Sequence, residues 1–523
     1  MEGKWSNAAL LLLICVCILS SCHVLLPSLG VPSNPYPPDG AVDVSLTPTL
    51  SWTCYSSDDG TLTYDVYFGT CSPPPLIKCD HNDTTYNPGL LKSGTIYYWK
   101  IVAKSQDGKE VHGPIWTFRT DVPIDWQKAF GGVNRDEARN LCLTEDGYII
   151  VGYTYSNDGN VSNNHGDSDW WVVKVDRDGN IQWQKTLGGS GCDKAYSIQK
   201  TTDEGYIIVG AAGSSDGDVL EYYGWSDWWV VKIDKYGNIQ WRKALGGSKK
   251  DCAYSVRQTS DGGYIVVGST QSSDGDVCGN HGYDDYWVVK LDANGNIQWK
   301  KAFGGFDSDI AYSVQQTHDN GYIVAGAAFS NDGNVSGNHG YYDFWIVKLN
   351  SNGDLEWQKC FGGSEWDIAQ SIQQTSDGGY IVTGYTRSND GDVSSNYGSY
   401  DCWVVRLDED GNIQWEKTFG GSKDDYAYNI QPTDDGYIIV GCTYSDDQGI
   451  PQNNGLCDLW IIKIDKSGNM LWQKTFGGSG EDCAYDVYQS IDGSYIIVGY
   501  THSNDGDVSG NHGYCDFWIV KLK

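Results

Sequence analysis

The stretch Ile124-Asp125-Trp126-Gln127-Lys128 decides the fold, because the chain returns again and again to its pattern of a Trp followed two residues later by Lys. A Gly-Gly pair follows each copy, and the recurring tryptophans are Trp126, Trp183, Trp241, Trp299, Trp357, Trp415 and Trp472. The intervals between them are 57 or 58 residues. A period this regular indicates tandem structural repeats.

Each repeat contains four strand-like runs, which in the fifth repeat cover residues 369–374, 380–385, 402–407 and 413–417. Turns rich in Gly, Asp and Asn separate these runs, and glycine permits the positive φ that tight hairpins need. Four short antiparallel strands per repeat are typical of a β-propeller blade. The alternatives are a β-solenoid, whose coils are usually shorter, and a row of independent sandwiches, for which one repeat has too small a core.

The two ends of the repeat region complement each other. The first repeat opens with the Trp126 strand, whereas the last ends at Leu522, one strand short of a full unit. The N-terminal strand is therefore predicted to complete the last blade and to close residues 124–523 into a seven-bladed β-propeller. In that arrangement the Trp strands are outermost, and the long loops share one face with the Gly-Gly linkers.

Residues 39–120 show strand-like runs separated by Gly, Asp and Pro turns, which is typical of a small sandwich. The spacing Leu91-x-Ser93-x-Thr95-x-Tyr97 resembles the tyrosine corner of fibronectin type III domains, which implies that the Tyr97 hydroxyl holds a loop. The Pro-rich residues 23–38 are predicted to be an extended linker. The predicted fold class is all-β, a small fibronectin type III-like sandwich followed by a seven-bladed β-propeller.

The first 22 residues have the features of an export signal. Residues 8–19 form an apolar run that is short for a membrane span and suits the core of a signal peptide. The sequence Leu19-Ser20-Ser21-Cys22 resembles a bacterial lipobox, which implies that Cys22 is lipidated. The predicted location is the cell envelope, as a lipoprotein whose membrane contact is the lipid alone. Plain secretion and an uncleaved anchor are the alternatives.

The formal net charge of −32 argues against DNA or RNA as a partner, because phosphate binding needs a basic face. The cysteines of the repeats occupy scattered positions, without the ligand spacing of a structural zinc site. The sequence therefore favours an extracellular glycan or protein as the partner.

Two aspartates stand 11 residues apart in the long loop of every repeat. The pairs are Asp158/Asp169, Asp216/Asp227, Asp274/Asp285, Asp332/Asp343, Asp390/Asp401, Asp447/Asp458 and Asp505/Asp516. Carboxylate oxygens around a Gly turn are the ingredients of a Ca²⁺ site, although the spacing is not that of an EF-hand. The pairs of repeats one, three, four and seven are the candidate ligands, and calcium is the only cofactor considered. The alternative is that Asp and Asn side chains cap their own turns.

Further polar residues recur in the repeats. An Asp precedes the first strand of each repeat in the pattern Asp-x-Ala, and the set is Asp136, Asp193, Asp251, Asp309, Asp367, Asp425 and Asp482. We expect these carboxylates to tie neighbouring blades through backbone N–H groups. Acid catalysis needs two carboxylates in different environments, and sevenfold sameness works against that. The loop histidines, expected to pack turns, are His165, His281, His339 and His512.

Function in a near-symmetric ring is expected where the repeats differ. The candidate ligand-binding residues are Arg135 in repeat one, Tyr222, Tyr223 and Trp225 in repeat two, and Trp366 in repeat five. Exposed aromatic rings beside acids suit stacking on sugar rings, with polar groups bonding the hydroxyls. The alternative is drift among tolerant loops.

The repeat consensus Gly-Gly-Ser-x-x-Asp-x-Ala-Tyr-Ser-Ile-Gln-Gln-Thr resembles the tandem repeats of secreted and surface proteins of environmental bacteria. The resemblance covers all seven repeats, and some similar sequences carry endoglucanase-like labels. We find no matched pair of catalytic carboxylates to support that activity. The favoured function is a monomeric, non-enzymatic surface protein whose propeller binds a ligand; an endoglucanase-like glycoside hydrolase is the alternative.

Overall fold

The computed structural model describes residues 29–57, 61–490 and 492–523. These residues form strands joined by turns and loops, without a helix, which confirms the all-β prediction. In this part of the chain there is accordingly no helix that could cross a membrane. The predicted signal peptide and Cys22 lie outside the described residues. The chain divides into two compact units, residues 1–123 and 124–523.

The strands of the first unit are β1 (Ser33–Tyr36), β2 (Ala41–Val44), β3 (Leu50–Thr53), β4 (Thr63–Gly69), β5 (Leu76–His81), β6 (Thr85–Tyr86), β7 (Ile96–Lys104), β8 (Glu110–His112) and β9 (Trp116–Thr120). They form one sheet of order β1-β3-β6 and one of order β2-β9-β7-β4-β5, with β8 also paired to β7. The Tyr97 hydroxyl accepts a hydrogen bond from the Lys92 backbone N–H at 3.1 Å, which holds the loop before β7. Strand β1 lies within the predicted linker, so that segment already belongs to a sheet from Ser33 onwards.

The strands of the second unit are β10 (Ile124–Phe130), β11 (Asp136–Leu143), β12 (Gly147–Thr154), β13 (Asp169–Asp176), β14 (Ile181–Leu187), β15 (Asp193–Lys200), β16 (Tyr206–Ala212), β17 (Asp227–Ile233), β18 (Ile239–Leu245), β19 (Asp251–Gln258), β20 (Tyr264–Thr270), β21 (Asp285–Leu291), β22 (Ile297–Phe303), β23 (Asp309–Gln316), β24 (Tyr322–Ala328), β25 (Asp343–Leu349), β26 (Leu355–Phe361), β27 (Asp367–Gln374), β28 (Tyr380–Thr386), β29 (Asp401–Leu407), β30 (Ile413–Phe419), β31 (Asp425–Thr433), β32 (Gly436–Thr443), β33 (Asp458–Asp465), β34 (Met470–Phe476), β35 (Asp482–Gln489), β36 (Tyr495–Thr501) and β37 (Asp516–Leu522).

Within the described residues of this unit, the strands form seven four-stranded antiparallel sheets. We number them sheet 1 (β11–β14), sheet 2 (β15–β18), sheet 3 (β19–β22), sheet 4 (β23–β26), sheet 5 (β27–β30), sheet 6 (β31–β34) and sheet 7 (β35–β37 with β10). Sheets 1 to 6 are meanders of four consecutive strands, and in all seven sheets the Trp strand lies at the outer edge. We call the end of the sheets that carries the long loops and the Gly-Gly linkers the loop face, and the opposite end the turn face. The repeat architecture is β-propeller-like.

The seventh sheet is built from both ends of the repeat region. Strand β10 pairs antiparallel with β37, and Gln127 lies opposite Val520. The pairing covers the edge of β37 that would otherwise be unpaired. Trp126 reaches across to sheet 1, where its indole N–H donates to the Arg177 carbonyl at 3.1 Å. The strap predicted from the sequence is confirmed.

The core lies between neighbouring sheets, because each sheet buries both faces of its two middle strands. One aromatic pair illustrates the packing: Trp228 of β17 and Trp287 of β21 lie with ring centroids 4.3 Å apart across the boundary between sheets 2 and 3. The same contact joins Trp171 of sheet 1 to Phe517 of sheet 7, at 4.5 Å. The last sheet therefore packs on the first.

A buried or half-buried cation stabilises the turn face of sheets 1 to 6. In sheet 2 the Lys232 ammonium, only 2% exposed, bonds Asp203 at 3.0 Å and also the carbonyl of Ile233. Equivalent buried or half-buried cations are Lys174, Lys290, Lys348, Arg406 and Lys463, each paired with an Asp of the neighbouring turn. This face is thus occupied by a structural ion pair that repeats with little change.

Removal of the strap should destabilise the whole second unit, because β37 would lose its pairing partner and Trp126 its packing on sheet 1. We expect a chain that begins at residue 131 to melt at a clearly lower temperature than one that begins at residue 124. Trp126→Ala in the intact chain should cost about 2–3 kcal/mol of unfolding free energy. Calorimetry measures both effects. Equal melting of the two truncated chains would contradict the strap.

Candidate ligand-binding face

The Gly-Gly linkers on the loop face are held by carboxylates. In the linker that enters sheet 2, Asp193 accepts a hydrogen bond from the Gly189 backbone N–H at 2.8 Å and another from the Ser214 hydroxyl at 2.6 Å. The corresponding bonds in the other six linkers are made by Asp136, Asp251, Asp309, Asp367, Asp425 and Asp482. The tie to backbone N–H groups expected for this set is therefore present.

The two aspartates of each long loop contact different groups. The first aspartate bonds the linker: in sheet 2, Asp216 accepts a hydrogen bond from the Ser190 backbone N–H at 2.7 Å. The second aspartate bonds its own loop. Asp169, in sheet 1, accepts from the backbone N–H of His165 at 3.0 Å and bonds its ring at 2.5 Å. The rings of His281, His339 and His512 bond their own loop aspartates in the same way. These histidines fix the turn, as the sequence predicted.

A pair of buried carboxylates faces the first linker glycine at each sheet boundary. At Gly188 a Cβ would lie 2.6 Å from Asp169 Oδ1 and 2.7 Å from Asp193 Oδ2, so that only glycine fits there. Both aspartates are fully buried, and Asp169 Oδ1 has no hydrogen-bond partner among the described residues. Burial raises the pKa of Asp169 to about 6, and the charge of Asp193 adds to this shift.

The same arrangement recurs at the other boundaries. The unpartnered oxygens there belong to Asp227, Asp285, Asp343, Asp401, Asp458 and Asp516, again within the described residues. Burial raises the pKa of Asp401 to about 7, and the nearby charge of Asp425 contributes to this rise. The hydrogen bond from the Tyr397 N–H acts in the opposite direction and lowers the pKa. In the parts of the chain that the structure describes, no group of three or more His, Cys, Asp or Glu side chains could hold a metal ion. Calcium binding by the loop aspartates stays a prediction.

Three backbone positions meet at each sheet boundary on the loop face. At the boundary of sheets 4 and 5, the Asp367 N–H donates to the Tyr342 carbonyl and the Arg387 N–H donates to the Trp366 carbonyl. We call Tyr342, Trp366 and Arg387 a boundary triad. The equivalent triads, in chain order of the sheets, are Cys515/Arg135/Tyr155, Ser168/Cys192/Gly213, Ser226/Lys250/Gln271, Asp284/Ser308/Phe329, Tyr400/Asp424/Tyr444 and Cys457/Glu481/His502. The backbone is constant, whereas the side chains change completely.

Trp366 lies in a cluster of aromatic rings at the boundary of sheets 4 and 5. Its ring is 5.1 Å from Tyr342 and 6.2 Å from Tyr341, with which it stacks at an interplanar angle of 25°. Phe329 packs against both tyrosines, at 5.1 and 6.1 Å. Tyr341 is 48% exposed, so the cluster presents ring faces to solvent.

The rings continue over the next boundary. Tyr400 lies 5.4 Å from Tyr426, and Tyr385 lies 4.9 Å from Tyr426 in an edge-to-face contact. The Arg387 guanidinium lies 5.9 Å from the Tyr400 ring and 3.9 Å from the carboxylate of Glu365, the residue before Trp366. Hydrogen-bonding groups are therefore interleaved with the rings.

The series extends to sheet 7 through Tyr428, Tyr485, Tyr500, His502 and Tyr514, each in contact with the next at centroid distances between 4.9 and 5.8 Å. Tyr426 joins it to the preceding boundary through Tyr428. We call the whole set, from Phe329 to Tyr514, the aromatic arc. It covers the loop-face ends of sheets 4 to 7.

A central channel runs beside the inner strands. Its volume is about 190 Å³, and one residue of each sheet lines it at the same position, namely Arg139, Tyr196, Tyr254, Tyr312, Gln370, Tyr428 and Tyr485. The Arg139 guanidinium lies 4.0 Å from the centre of the Tyr485 ring, a cation–π contact that links the channel to the aromatic arc. The buried Glu137 accepts hydrogen bonds from both Arg139 and Arg135.

The structure separates the predicted ligand-binding residues into three places. Trp366 belongs to the aromatic arc. Trp225 is 84% exposed and Tyr223 48% exposed in the long loop of sheet 2, beside the half-buried Tyr222. Arg135 is paired with Glu137 and borders a shallow depression lined also by Val133, Asn134, Tyr155 and Tyr514. Trp366 thus packs within the aromatic arc, and Arg135 borders the last member of the arc, Tyr514.

Sequence reasoning missed most of the aromatic arc, including Phe329, Tyr342 and Tyr400. Their positions are scattered within the repeats, and each lies in a boundary triad whose members come from two adjacent sheets. A comparison of the seven repeats position by position would have found them, because the residue type at the boundary-triad positions differs between repeats while the adjacent positions keep theirs. The variable positions of the repeats thus mark the candidate site.

No protein-family model matches the chain. The regulatory protein FlaEY of Caulobacter vibrioides is 25% identical over 227 residues, which are 40% of this chain and 23% of that protein. An uncharacterized WD repeat-containing protein of Acanthamoeba polyphaga mimivirus is 20% identical over 73% of this chain and 36% of its own length. The chain therefore spans about a quarter and about a third of these two curated relatives. The second relative supports a propeller-like repeat.

Solved structures resemble the chain only distantly. A Bacteroides thetaiotaomicron protein of unknown function aligns with 12% identity and a TM-score of 0.30, over 80% of this chain and 96% of its own. A variant of the Synechocystis apocarotenoid oxygenase aligns with 11% identity and a TM-score of 0.36, over 80% and 90%. At such scores the description of the fold rests on the sheets of this chain itself.

The free energy of unfolding should depend on pH through the paired carboxylates. Burial raises the pKa of Asp136, Asp309 and Asp343 to about 6, so the folded chain holds protons there that the unfolded chain has released. Stability is then lost as pH rises from about 4 towards 7. On the turn face, bonds to Lys174 hold the pKa of Asp146 at about 2, and that contribution is lost below about pH 4. We expect the melting temperature to peak near pH 4–5.

Asp401→Asn should flatten this dependence. The amide keeps an oxygen for the Tyr397 N–H and removes one buried charge beside Asp425, so stability at pH 8 should rise relative to the native chain. Asp390→Asn is the matched control, because hydrogen bonds from Ser364 lower the pKa of Asp390 in the same loop. That variant should lose stability instead. Thermal melts from pH 4 to 8 measure both, and a rise in stability for Asp390→Asn would refute the assignment.

Calcium should leave the melting temperature unchanged if the loop aspartates act only as turn caps. Their described partners are N–H groups, which a bound cation would displace. Melting with added calcium and with a chelator measures this. A calcium-dependent rise that Asp332→Asn reduces would instead establish the predicted metal site.

Proposed function

We propose that this protein is an exported glycan-binding protein and that the aromatic arc is its binding surface. The observation that carries the proposal is the two groups of contacting rings on the loop face, one with Trp366 and Tyr341 and one with Tyr400, between which Arg387 and Glu365 lie. Sugar rings stack on aromatic faces through their C–H groups, while side-chain donors and acceptors bond the hydroxyls.

We further propose that the second unit is a closed seven-bladed β-propeller and that the first is a fibronectin type III-like spacer. The bonded Tyr97 hydroxyl supports the second assignment, and the strap pairing supports the first. The predicted lipobox at Cys22 would attach the chain to the cell envelope, and a secreted form would bind the same ligand. In this proposal the protein acts as a monomer.

The location of the variable residues supports a binding function. The boundary triads are held by main-chain hydrogen bonds to buried strands, so changes in their side chains leave the backbone in place. Binding residues are often placed on rigid scaffolds in this way. The turn face, by contrast, repeats the same buried ion pair in sheet after sheet.

Glycoside hydrolysis is the alternative function. It requires two carboxyl groups about 5–9.5 Å apart on either side of a groove, with separated pKa values. The recurring carboxylate pairs of the loop face are those at the linker glycines, and both members of each pair are fully buried, out of reach of a polymer. We therefore favour binding, and assays should measure released sugar as well as bound polymer.

Truncation of the arc should weaken polysaccharide binding. We expect Tyr341→Ala/Trp366→Ala to bind a captured polymer about tenfold more weakly, because two stacking faces are lost. The measurement is a titration with the best polymer from a screen of soluble polysaccharides.

Tyr236→Ala is the matched control, since Tyr236 is 65% exposed in a turn of the turn face. Its binding should equal that of the native chain. Absence of any bound polysaccharide, or equal loss in the control, would overturn the proposed function. Release of reducing sugar in proportion to protein would favour the hydrolase.

A further inference from the structure

The central channel carries a ring of side chains to which the proposed binding surface assigns no role of its own. Each sheet contributes one residue, and the set consists of Arg139, Tyr196, Tyr254, Tyr312, Gln370, Tyr428 and Tyr485. We call this set the channel ring. Each member lies three residues along its inner strand from the linker aspartate of the loop face. The channel ring therefore surrounds the channel near its loop-face end.

Neighbouring members of the channel ring contact one another. The ring centroids lie 4.9–5.2 Å apart in the pairs Tyr196/Tyr254, Tyr254/Tyr312 and Tyr428/Tyr485. Arg139 joins sheet 7 to sheet 2, because its guanidinium lies 4.0 Å from the centre of the Tyr485 ring and 5.9 Å from that of Tyr196. Residues of all seven sheets line the channel, so in the closed propeller proposed above a polymer has no entry from the side. It can enter only end-first.

The channel ring offers hydrogen-bonding groups that the protein itself does not use. In the part of the chain that the structure describes, the hydroxyls of Tyr196, Tyr312, Tyr428 and Tyr485 have no protein partner. Burial raises the pKa of Tyr196 and Tyr312, so these hydroxyls keep their protons and can donate. The buried Nε of Arg139 is also without a partner among the described residues. Aromatic faces and free hydroxyls in one wall suit a sugar, which presents both C–H groups and hydroxyls.

Arg257 lies deeper in the channel, three residues nearer to the turn face than the channel ring. Its guanidinium donates to the Val256 carbonyl at 2.9 Å and forms no ion pair with a described carboxylate. Burial lowers the pKa of Arg257, and the charge of Asp486 of sheet 7 opposes this shift. Asp486 itself is bonded by the Asn140 amide at 2.5 Å, and no carboxylate is among the residues that line the channel. The remaining N–H groups of Arg257 are thus available to the hydroxyls of a ligand.

The size and position of the channel match one sugar residue at the end of a chain. Its volume of about 190 Å³ is smaller than the ~300 Å³ at which pockets for drug-sized ligands begin. Tyr428 and Tyr485 belong both to the channel ring and to the aromatic arc. A polymer that lies on the arc therefore meets the mouth of the channel.

We propose that the central channel binds the terminal sugar residue of the polysaccharide, so that this protein recognises chain ends rather than internal stretches. The inference rests on the proposed function and adds to it the part of the glycan that is bound. The terminal sugar bonds Arg257, Arg139 and the free tyrosine hydroxyls, while the residues that follow it stack on the aromatic arc.

The test compares polysaccharides with their own short fragments. Dextran, pullulan, xylan and glucomannan are titrated with the intact protein before and after partial acid hydrolysis, at equal mass of sugar. Hydrolysis multiplies the chain ends but shortens the stretch that can stack. We therefore expect the apparent affinity per mass to rise in proportion to the number of ends, whereas binding along the chain would make it fall.

Arg257→Gln and Tyr312→Gln should each weaken the binding of the fragments about tenfold, because each removes donors or a ring from the channel. Both variants should keep the fold, since four other repeats have Gln at the position of Arg257 and repeat five has Gln370 at that of Tyr312. Arg242→Gln is the matched control. Arg242 lies on an outer strand, where it pairs with Asp218, and other repeats have Gln there as well. Its binding should equal that of the native chain.

Each contrary result has a distinct meaning. Fragments that bind no better per mass than their polymers would refute chain-end recognition and leave the glycan proposal intact. A gain on hydrolysis that Arg257→Gln and Tyr312→Gln leave unchanged would refute the channel as the site. Absence of binding to every polymer and every fragment would refute both proposals.

Discussion

The whole second unit depends on the packing of aromatic side chains across the boundaries between sheets. A four-stranded sheet of this size cannot bury both of its faces on its own, so it must pack against a neighbouring sheet on each side. The contact of Trp228 with Trp287 fills the space that two twisted sheets leave between them. At two boundaries a smaller residue, Cys402 or Leu459, replaces one ring, and the neighbouring tryptophan stays fully buried. The contact therefore tolerates a change on one side, provided that the other side keeps its bulk.

The residues that hold the sheets together differ from those that form the candidate ligand-binding surface. The residues that hold the sheets together are middle-strand aromatics, linker glycines such as Gly188, and the aspartates that bond the linkers. None of these needs an exposed side chain. The side chains of the boundary triads vary on the same backbone: the half-buried Trp366 and the exposed Lys250 occupy equivalent positions, whereas Ser168, Cys457 and Cys515 are buried. The acidic surface of the chain favours its solubility.

Much of the fold followed from period and turn chemistry. The regular return of Trp126-like strands predicts the repeat, and the missing strand after Leu522 predicts the strap. The candidate ligand-binding face is harder to predict from the sequence, because Tyr342 and Trp366 are 24 residues apart and meet only across a sheet boundary. The carboxylate pairs have the same origin: Asp169 was paired with Asp158 by spacing, whereas its buried neighbour is Asp193 of the next sheet. A contact between two residues of different repeats produces no periodicity or spacing within either repeat, so the sequence pattern does not predict it.

The strap has a consequence for how such chains change in evolution. Since the seventh sheet takes β10 from one end and β35–β37 from the other, the duplicated unit of sequence runs from one Trp strand to the next and is offset by one strand from the sheet. Gain or loss of a whole unit in this frame would leave a Trp strand at the start of the repeat region, where it can pair with the final strand of the last unit. A pairing like that of β10 with β37 would thus be available at any number of units.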